Sequence, residues 1–377
     1  MLCRNGMVNV MKKNEIIKIY GTDFQENTRA LLEAADLKSH IPSPDARIGI
    51  KPNLVSASEA SYGATTHPEV VAGIIEYLQG HGFRNLVILE GSWVGDHTRE
   101  AFSVCGYDDL SRRYGVPLID TQKEPARKRD CAGMSLMVCN CVEQLDFLIN
   151  VPVLKGHCQT RMTCALKNLK GLIPNSEKRR FHSLGLHKPI AHLAAAIRQD
   201  FIVVDHICGD LDFEDGGNPV VRNCLLAACD PVLIDAWVCR ELHYRPEQVP
   251  YLPLAASLGA GSMDLEHAWI RTLGEEEDTS LPVANKVVQV EDAVFEVESC
   301  SACYGYLIPA LDRLREEGLL DQLEEKICIG QGFRGKTGAL GVGNCTKDFS
   351  CYVPGCPPLE TEIYDALKDY ITAAKSI

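Results

Sequence analysis

The sequence predicts an α/β fold, a mostly parallel sheet flanked by helices, with a small Cys-rich segment at the C-terminal end. Three observations predict it. Short, continuous apolar runs such as Asn85-Leu-Val-Ile-Leu89 and Phe201-Ile-Val-Val204 read as strands buried on both faces. Helix-start signals lie between such runs, in the strand–helix–strand order of a parallel sheet. Six of the chain's 17 cysteines fall between Ser299 and Pro358.

Composition narrows the function classes. At 377 residues, 46% hydrophobic and 24% charged, the chain suits a soluble globular protein of two domains, or of one large α/β domain plus an appendage. A formal charge of −13 argues against general nucleic-acid binding, which needs clustered Lys and Arg. No run approaches the ~18 apolar residues of a membrane span, and Met1 to Lys13 lacks the apolar core of a secretory signal. Met11, followed by Lys12-Lys13, reads as an alternative start. The expected compartment is the cytoplasm, where thiols stay reduced or bind metal. The odd cysteine count also argues against a closed disulfide framework.

Taken in order, Ile16–Tyr20 is a strand and Thr28–Ala35 a helical stretch. Ala46–Ile50 is a second strand, expected to stop before Pro52, which cannot continue a ladder. Residues just past strand carboxyl ends are where α/β sheets bind ligands, so Lys51 and Asn53 are candidate binding groups. Thr66-His67-Pro68-Glu69 starts a helix: Pro68 suits the first position, and Thr66 and Glu69 have capping-box spacing. His67 is then a structural cap residue. Gly80 and Gly82 end the helix, and Asn85–Leu89 returns as a strand with Glu90-Gly91-Ser92 at its end.

Leu118–Asp120 and Leu145–Ile149 extend the sheet. The second leads into Lys155-Gly156-His157, and Lys167, Lys170, Gly171, Lys178 and His182 follow. This local cationic cluster suits a carboxylate or phosphate, because Lys acts as a point charge and loop amides add donors. Lys155 and His157 are the candidate catalytic pair, with His157 able to supply a proton. Lys51, Asn53, Lys167 and Lys170 are the candidate ligand-binding set. Phe201–Val204 ends on Asp205, and the loop beyond carries Asp210, Asp212, Glu214 and Asp215, without the EF-hand pattern of a calcium site. Asp230-Pro231 opens a further helix. The acidic run Arg271–Ser280, then Pro282, marks the boundary between an α/β domain over 15–280 and a Cys-rich region over 285–377.

The motifs Ile50-Lys-Pro-Asn-Leu54, Thr66-His-Pro-Glu69, Val151-Pro-Val-Leu-Lys-Gly-His157, Leu166-Lys-Asn-Leu-Lys-Gly-Leu-Ile-Pro174 and Asp230-Pro-Val-Leu-Ile-Asp235 stand in one order. In that order the chain resembles the domain of unknown function 362 family, from about Ile17 to Gly274. The resemblance implies an α/β fold and no settled reaction. Its tail is similar to extensions in that family that hold a 4Fe–4S cluster. Lys167 to Pro174 is also similar to a loop of lactate racemase-like proteins, by analogy only.

The tail opens with C-x2-C at Cys300 and Cys303, then passes Cys328, Cys345, Cys351 and Cys356. Thiolates are soft ligands for iron–sulfur clusters or zinc. Cys300, Cys303, Cys345 and Cys356 are taken as the cluster ligands. The first two share a tight turn, Cys345 follows Gly343-Asn344, and Cys356 lies in Gly-Cys-Pro-Pro, an element similar to a cluster-binding one in hydrogenase and NADH dehydrogenase subunits. Cys351 is the reserve ligand and Cys328 a core thiol. Zinc is the rival metal, on the pairs Cys300/Cys303 and Cys351/Cys356. Gly330–Thr337 matches the P-loop expression, but the glycines that follow are poor helix material, so ATP hydrolysis is not expected.

The expected function is therefore a redox protein, its cluster exchanging electrons with a small anionic ligand or an electron-transfer partner. A non-redox binding or sensing module with a structural metal is the alternative. A Lys/His isomerase or racemase is a further one.

Overall fold

A computed structural model of the protein describes residues 10–275, 280–283 and 286–374. Its strands in chain order are β1 (Glu15–Tyr20), β2 (Ile48–Pro52), β3 (Leu86–Glu90), β4 (Leu118–Asp120), β5 (Ala126–Cys131), β6 (Met134–Cys139), β7 (Phe147–Val151), β8 (Lys155–His157), β9 (Arg161–Thr163), β10 (Phe201–Asp210), β11 (Pro219–Ala228), β12 (Trp269–Leu273), β13 (Val294–Glu296), β14 (Ile327–Ile329), β15 (Leu340–Val342) and β16 (Cys351–Val353). The largest sheet, of eight strands, has the order β12-β1-β11-β10-β7-β2-β3-β4. Every neighbouring pair in it is parallel except the two that involve β11, which alone runs against the rest.

Two-residue periodicity explains how the sheet is covered. Ile48 and Ile50 of β2, Leu86 and Ile88 of β3, Phe147, Ile149 and Val151 of β7, and Phe201 and Val203 of β10 all enter one core. There they meet Leu31 and Leu32 of the helix Phe24–Ala34 and Val70, Ile74 and Leu78 of the helix Pro68–Gly80. The alternate residues, including Lys51 and Asn150, face the opposite side.

The structure corrects several expectations. β2 runs on to Pro52, pairing Lys51 with Asn150 and Pro52 with Val151. A proline at the last position gives up only a terminal rung, so Lys51 belongs to the strand and not to a loop. The capping box at Thr66 and Glu69 does not form: the helix start has no side-chain cap. Thr66 Oγ1 instead donates to Val151 O (2.8 Å) and accepts from Asn53 N (2.8 Å). β10 does not stop at Asp205 but continues to Asp210, through a register shift between His206 and Cys208, in a long hairpin with β11.

The chain divides into two compact units. The first holds residues up to Gly156, Met162–Lys178 and His187–Pro282; the second holds His157–Arg161, Arg179–Leu186 and residues from Val283 onward. Within the second, β13-β14-β15-β16 form an all-parallel sheet. Its helix Ser301–Glu316 packs against the helix Glu360–Ala374, with the Arg313 guanidinium 3.7 Å over the Tyr364 ring. Among the described residues, no helix is long and apolar enough to cross a membrane.

Candidate functional site

The first unit places its polar groups at one end of the sheet. β3 and β4 step outward on one side of β2, while β7 and β10 lie on the other. The carboxyl ends of β2 and β7 therefore flank a topological switch point, where α/β sheets open a ligand crevice. Lys51 and Asn150 sit there side by side, both fully buried. Lys51 Nζ forms an ion pair with Glu90 at the end of β3 and also donates to Pro52 O (2.9 Å) and Asn168 Oδ1 (3.3 Å). Asn168 Nδ2 donates to Asn150 Oδ1 (2.7 Å), whose own Nδ2 donates to Ala165 O (2.9 Å) and Gln199 Oε1 (2.5 Å).

The loop that follows Asn168 lies directly on this network. A Cβ at Gly171 would stand 2.6 Å from both Lys51 Nζ and Glu90 Oε1, so only glycine allows the approach. Thr121 Oγ1 donates to Gly171 O (2.5 Å) from the end of β4. The loop's own anchor comes from the Asp230–Asp235 motif. Asp230 caps the helix Pro231–Glu241, accepting from Val232 N and Leu233 N at 2.9 Å each. One turn on, Asp235 accepts from Ala165 N (2.7 Å) and Leu166 N (3.1 Å), fixing the short helix Ala165–Asn168. Burial pushes the Asp235 carboxyl up to about 7.

Four further lysines surround this network, in different states. Lys155 Nζ donates to Ala64 O (2.5 Å) and Glu214 O (2.7 Å), and Lys178 Nζ to Gly91 O (2.9 Å) and Ser92 O (2.7 Å). Both amines are held by backbone carbonyls. Lys167 Nζ donates to Thr163 Oγ1 at 3.2 Å. Lys170 is half-buried and makes no hydrogen bond or ion pair among the described residues. Burial, then the neighbouring ammonium groups of Lys167 and Lys178, bring Lys170 down to about 7. Burial and Lys167 do the same for Lys155, against Asp215 and Glu214. Burial followed by Glu214 raises Asp215 to about 6. Burial also pushes both members of the Lys51–Glu90 pair toward their neutral forms.

The acidic loop after β10 thus faces lysines. Asp210 Oδ1 accepts from Asp212 N and Phe213 N, and its Oδ2 from Asn218 N, all at 2.9 Å, which shapes the loop. Asn53, a predicted binding group, is buried and closes a local turn, its Oδ1 accepting from Val55 N at 3.2 Å.

A second constellation escaped the sequence reading. His67 Nδ1 lies 2.9 Å from Asp205 Oδ2, which also accepts from His67 N at 2.7 Å, and Cys208 Sγ lies 3.9 Å from His67 Nε2. Burial alone would lower the imidazole, but Asp205, then Cys208, hold it up to about 10. The three residues span 141 positions, with no motif to join them.

In the second unit, Cys300 is the N-cap of the helix Ser301–Glu316, and Cys303 lies in its first turn. Cys300 and Cys303 each stand within electrostatic range of Cys345 and Cys356, and Cys303 of Cys300. Burial raises Cys300, with Cys345 and Cys356 adding to it, and brings Cys303 up to about 12, with Cys300, Cys356 and Cys345 adding. Neither Cys328 nor Cys351 enters this group; Cys328 feels Glu325, and Cys351 acts on Tyr370. Among the described residues, no three tail cysteines have sulfurs all within 4.8 Å of one another. Gln331 Nε2 donates to Cys300 Sγ (3.7 Å), and the Arg334 guanidinium lies within electrostatic range of Cys345. Arg334, Asn344, Cys345, Lys347 and Asp348 line an open cleft of about 450 Å³. The P-loop-like run leads into β15 and not into a helix.

The turn at Cys300 is braced by residues over a hundred positions upstream. Gln159 Nε2 donates to Ser299 O and Glu296 Oε1, and its Oε1 accepts from Ser301 Oγ (2.8 Å). His182 Nδ1 accepts from Ser301 N at 3.3 Å. His157, the predicted proton donor, is buried, and its Nδ1 accepts from Gln159 N (3.0 Å) and Thr160 N (3.2 Å), which puts the ring proton on Nε2.

A family model described as a domain of unknown function (DUF362) matches residues 48–240, just over half of the chain. A thylakoid-associated protein of Synechocystis sp. is 25% identical over 238 residues, which cover 61% of this chain and 74% of that protein. The lactate racemase apoprotein of Thermoanaerobacterium thermosaccharolyticum shares 14% identity at a TM-score of 0.41, covering 60% of this chain and 56% of that one. The chain thus spans little more than half the length of that enzyme, and so distant a likeness says nothing about activity.

Proposed function

The chain belongs to the DUF362 family, and from that premise we propose that it is an iron–sulfur redox protein serving a small anionic ligand. Cys300, Cys303, Cys345 and Cys356 would hold a 4Fe–4S cluster, which when bound supplies one-electron transfer. The grouping of these four thiols, apart from Cys328 and Cys351, carries the reading.

Three features of the chain support it. Thiolates and a cluster bring negative charge, and the 16-residue helix opened by Cys300 turns its positive dipole end to that charge. Gln331 supplies a donor to sulfur and Arg334 a nearby positive charge, and both favour the more reduced state. The sulfurs are also spread more widely than zinc requires. Tetrahedral zinc with Zn–S bonds of ~2.3 Å sets its thiolates ~3.8 Å apart.

In the first unit, Lys167 and Lys170 stay the proposed anion-binding lysines; the amines of Lys51, Lys155 and Lys178 are bound to protein oxygens, and Lys167 Nζ also donates to Thr163 Oγ1. The predicted catalytic role of Lys155 and His157 stays part of the proposal. Lys155 would have to leave two carbonyls to act, and His157 would donate from Nε2.

Strictly anaerobic purification with iron and sulfide analysis tests this reading. The expected result is a brown protein with about four iron and four sulfide per chain, bleached by dithionite. Alanine at any of the four ligands should abolish the colour, while Cys328→Ala and Cys351→Ala keep it. A colourless protein after reconstitution overturns the proposal. A cluster that is present but never changes redox state with ligand points to the structural-metal alternative.

A further inference from the structure

We infer that the open cleft beside Cys345 is the docking surface for an acidic one-electron carrier protein, which exchanges electrons with the cluster across the Cys345 and Cys356 edge. This rests on the reading that four cysteines of the second unit hold a cluster, and it names the partner. Of those four, Cys356 is exposed and Cys345 lines the cleft. Electron transfer weakens steeply with distance, so a carrier has to approach the metal at this edge.

Charge selects the carrier. The chain as a whole carries −13. From Ile327 to Pro358, the stretch that holds Cys345 and Cys356, it carries Arg334, Lys336 and Lys347 against Asp348 alone. The balance reverses from Leu359 to Ala374, where Glu360, Glu362, Asp365 and Asp369 stand against Lys368.

Pairing sharpens the contrast. Elsewhere in the second unit, Lys286 and Arg315 pair with Asp312, and Arg313 and Lys368 pair with Glu317. Arg334, Lys336 and Lys347 are exposed and make no ion pair with a carboxylate among the described residues. Arg334 and Lys347 share the lining of the cleft with Cys345, and Lys336 rests over the Phe333 ring at 5.7 Å. The Arg334 guanidinium lies within range of Cys345, then of Cys300 and Cys356, and so offsets sulfur charge. Lys336 and Lys347 leave positive charge for a partner's carboxylates, which steer encounter and fix orientation. Electron-transfer encounters bury little surface, below about 1,200 Å², so an open cleft edged by cations is enough to seat one. One electron passes between the two metal centres, and no bond or proton has to move.

The test uses the full chain, reconstituted with iron and sulfide, and an acidic plant-type ferredoxin as the probe. Carbodiimide cross-linking at low salt should join ferredoxin carboxylates to Lys336 or Lys347, far in excess of Lys123, whose side chain is 75% accessible. The double variant Lys336→Glu, Lys347→Glu should stay brown and bleach with dithionite. Its electron exchange with ferredoxin, followed by stopped flow, should slow by roughly tenfold. Exchange with photoreduced deazariboflavin, small and uncharged, should not change. Near 1 M salt, where the Debye length falls to about 3 Å, the rates of the two chains should converge. Cross-links spread evenly over exposed lysines overturn the inference, as does a ferredoxin rate that neither salt nor the variant alters. Equal slowing with ferredoxin and deazariboflavin also overturns it, because the lysines would then serve the cluster and not a partner. A colourless chain removes the cluster reading itself; a brown chain that bleaches yet fails these tests removes the docking surface alone.

Discussion

At the scale of single residues, His67 links stability to pH. Its imidazole is held near 10 by Asp205 and Cys208 against burial, far above the ~6.5 of an unfolded chain. A raised folded value stabilises fully below pH 6.5 and loses that contribution as pH rises through 10. The lysines of the site have the opposite sign: Lys155 and the half-buried Lys170 near 7 and Lys178 near 8 make folding more favourable as pH rises toward 10.5. The His67 contribution is thus read as a difference. His67→Gln should destabilise by roughly 3–5 kcal/mol at pH 6, the cost of breaking a buried pair, and by much less at pH 10. Urea melts of both proteins at the two pH values check it; an equal loss at both would show that Asp205 does not hold the charge. Gly171→Ala is a second residue-scale case. Its Cβ would stand 2.6 Å from Lys51 Nζ and Glu90 Oε1, so stability should fall, read as a lower urea midpoint.

At the scale of elements, short helices are held by distant side chains. The helix Ala165–Asn168 has only four residues, too few to persist alone, and takes its first two bonds from Asp235. Asp235→Ala strands those two buried amides and should cost roughly 2–4 kcal/mol, read from urea melts, while leaving iron content unchanged. The start of the helix Ser301–Glu316 is braced in the same manner by Gln159 and His182. Gln159→Ala or His182→Ala keeps all four thiols. It should speed loss of iron to a chelator by roughly tenfold, as groups behind metal ligands commonly do. Equal release rates would make these contacts incidental to the metal.

At the scale of the whole molecule, the two units have separate means of stability. The first has a large apolar core on its sheet, whereas the second builds its sheet from strands of three residues. With so little hydrogen-bonded sheet, the proposed cluster would carry the larger share of the stability there. Removing iron should therefore raise amide hydrogen exchange across 286–374 and leave β2, β3, β7 and β10 protected. Uniform loss of protection in both units would contradict that division.

How much of this was legible depended on sequence distance. The continuous apolar runs of β3 and β7, the order of strands and helices, and the gathering of thiols in the tail follow from residue types a few positions apart, so the sequence by itself determined the α/β class and the four cysteines worth testing. Tertiary structure alone decided that β11 runs backward, that Thr66 bonds Val151 and not its own helix, and that His67 meets Asp205 138 residues away. It also decided which lysines are occupied. Lys51, Lys155, Lys167, Lys170 and Lys178 carry the same group in the sequence, and only carbonyls and carboxylates brought from 39 to 91 positions away distinguish them. A side chain's chemistry is written in its residue type, but its free valence is set by the partners that folding delivers.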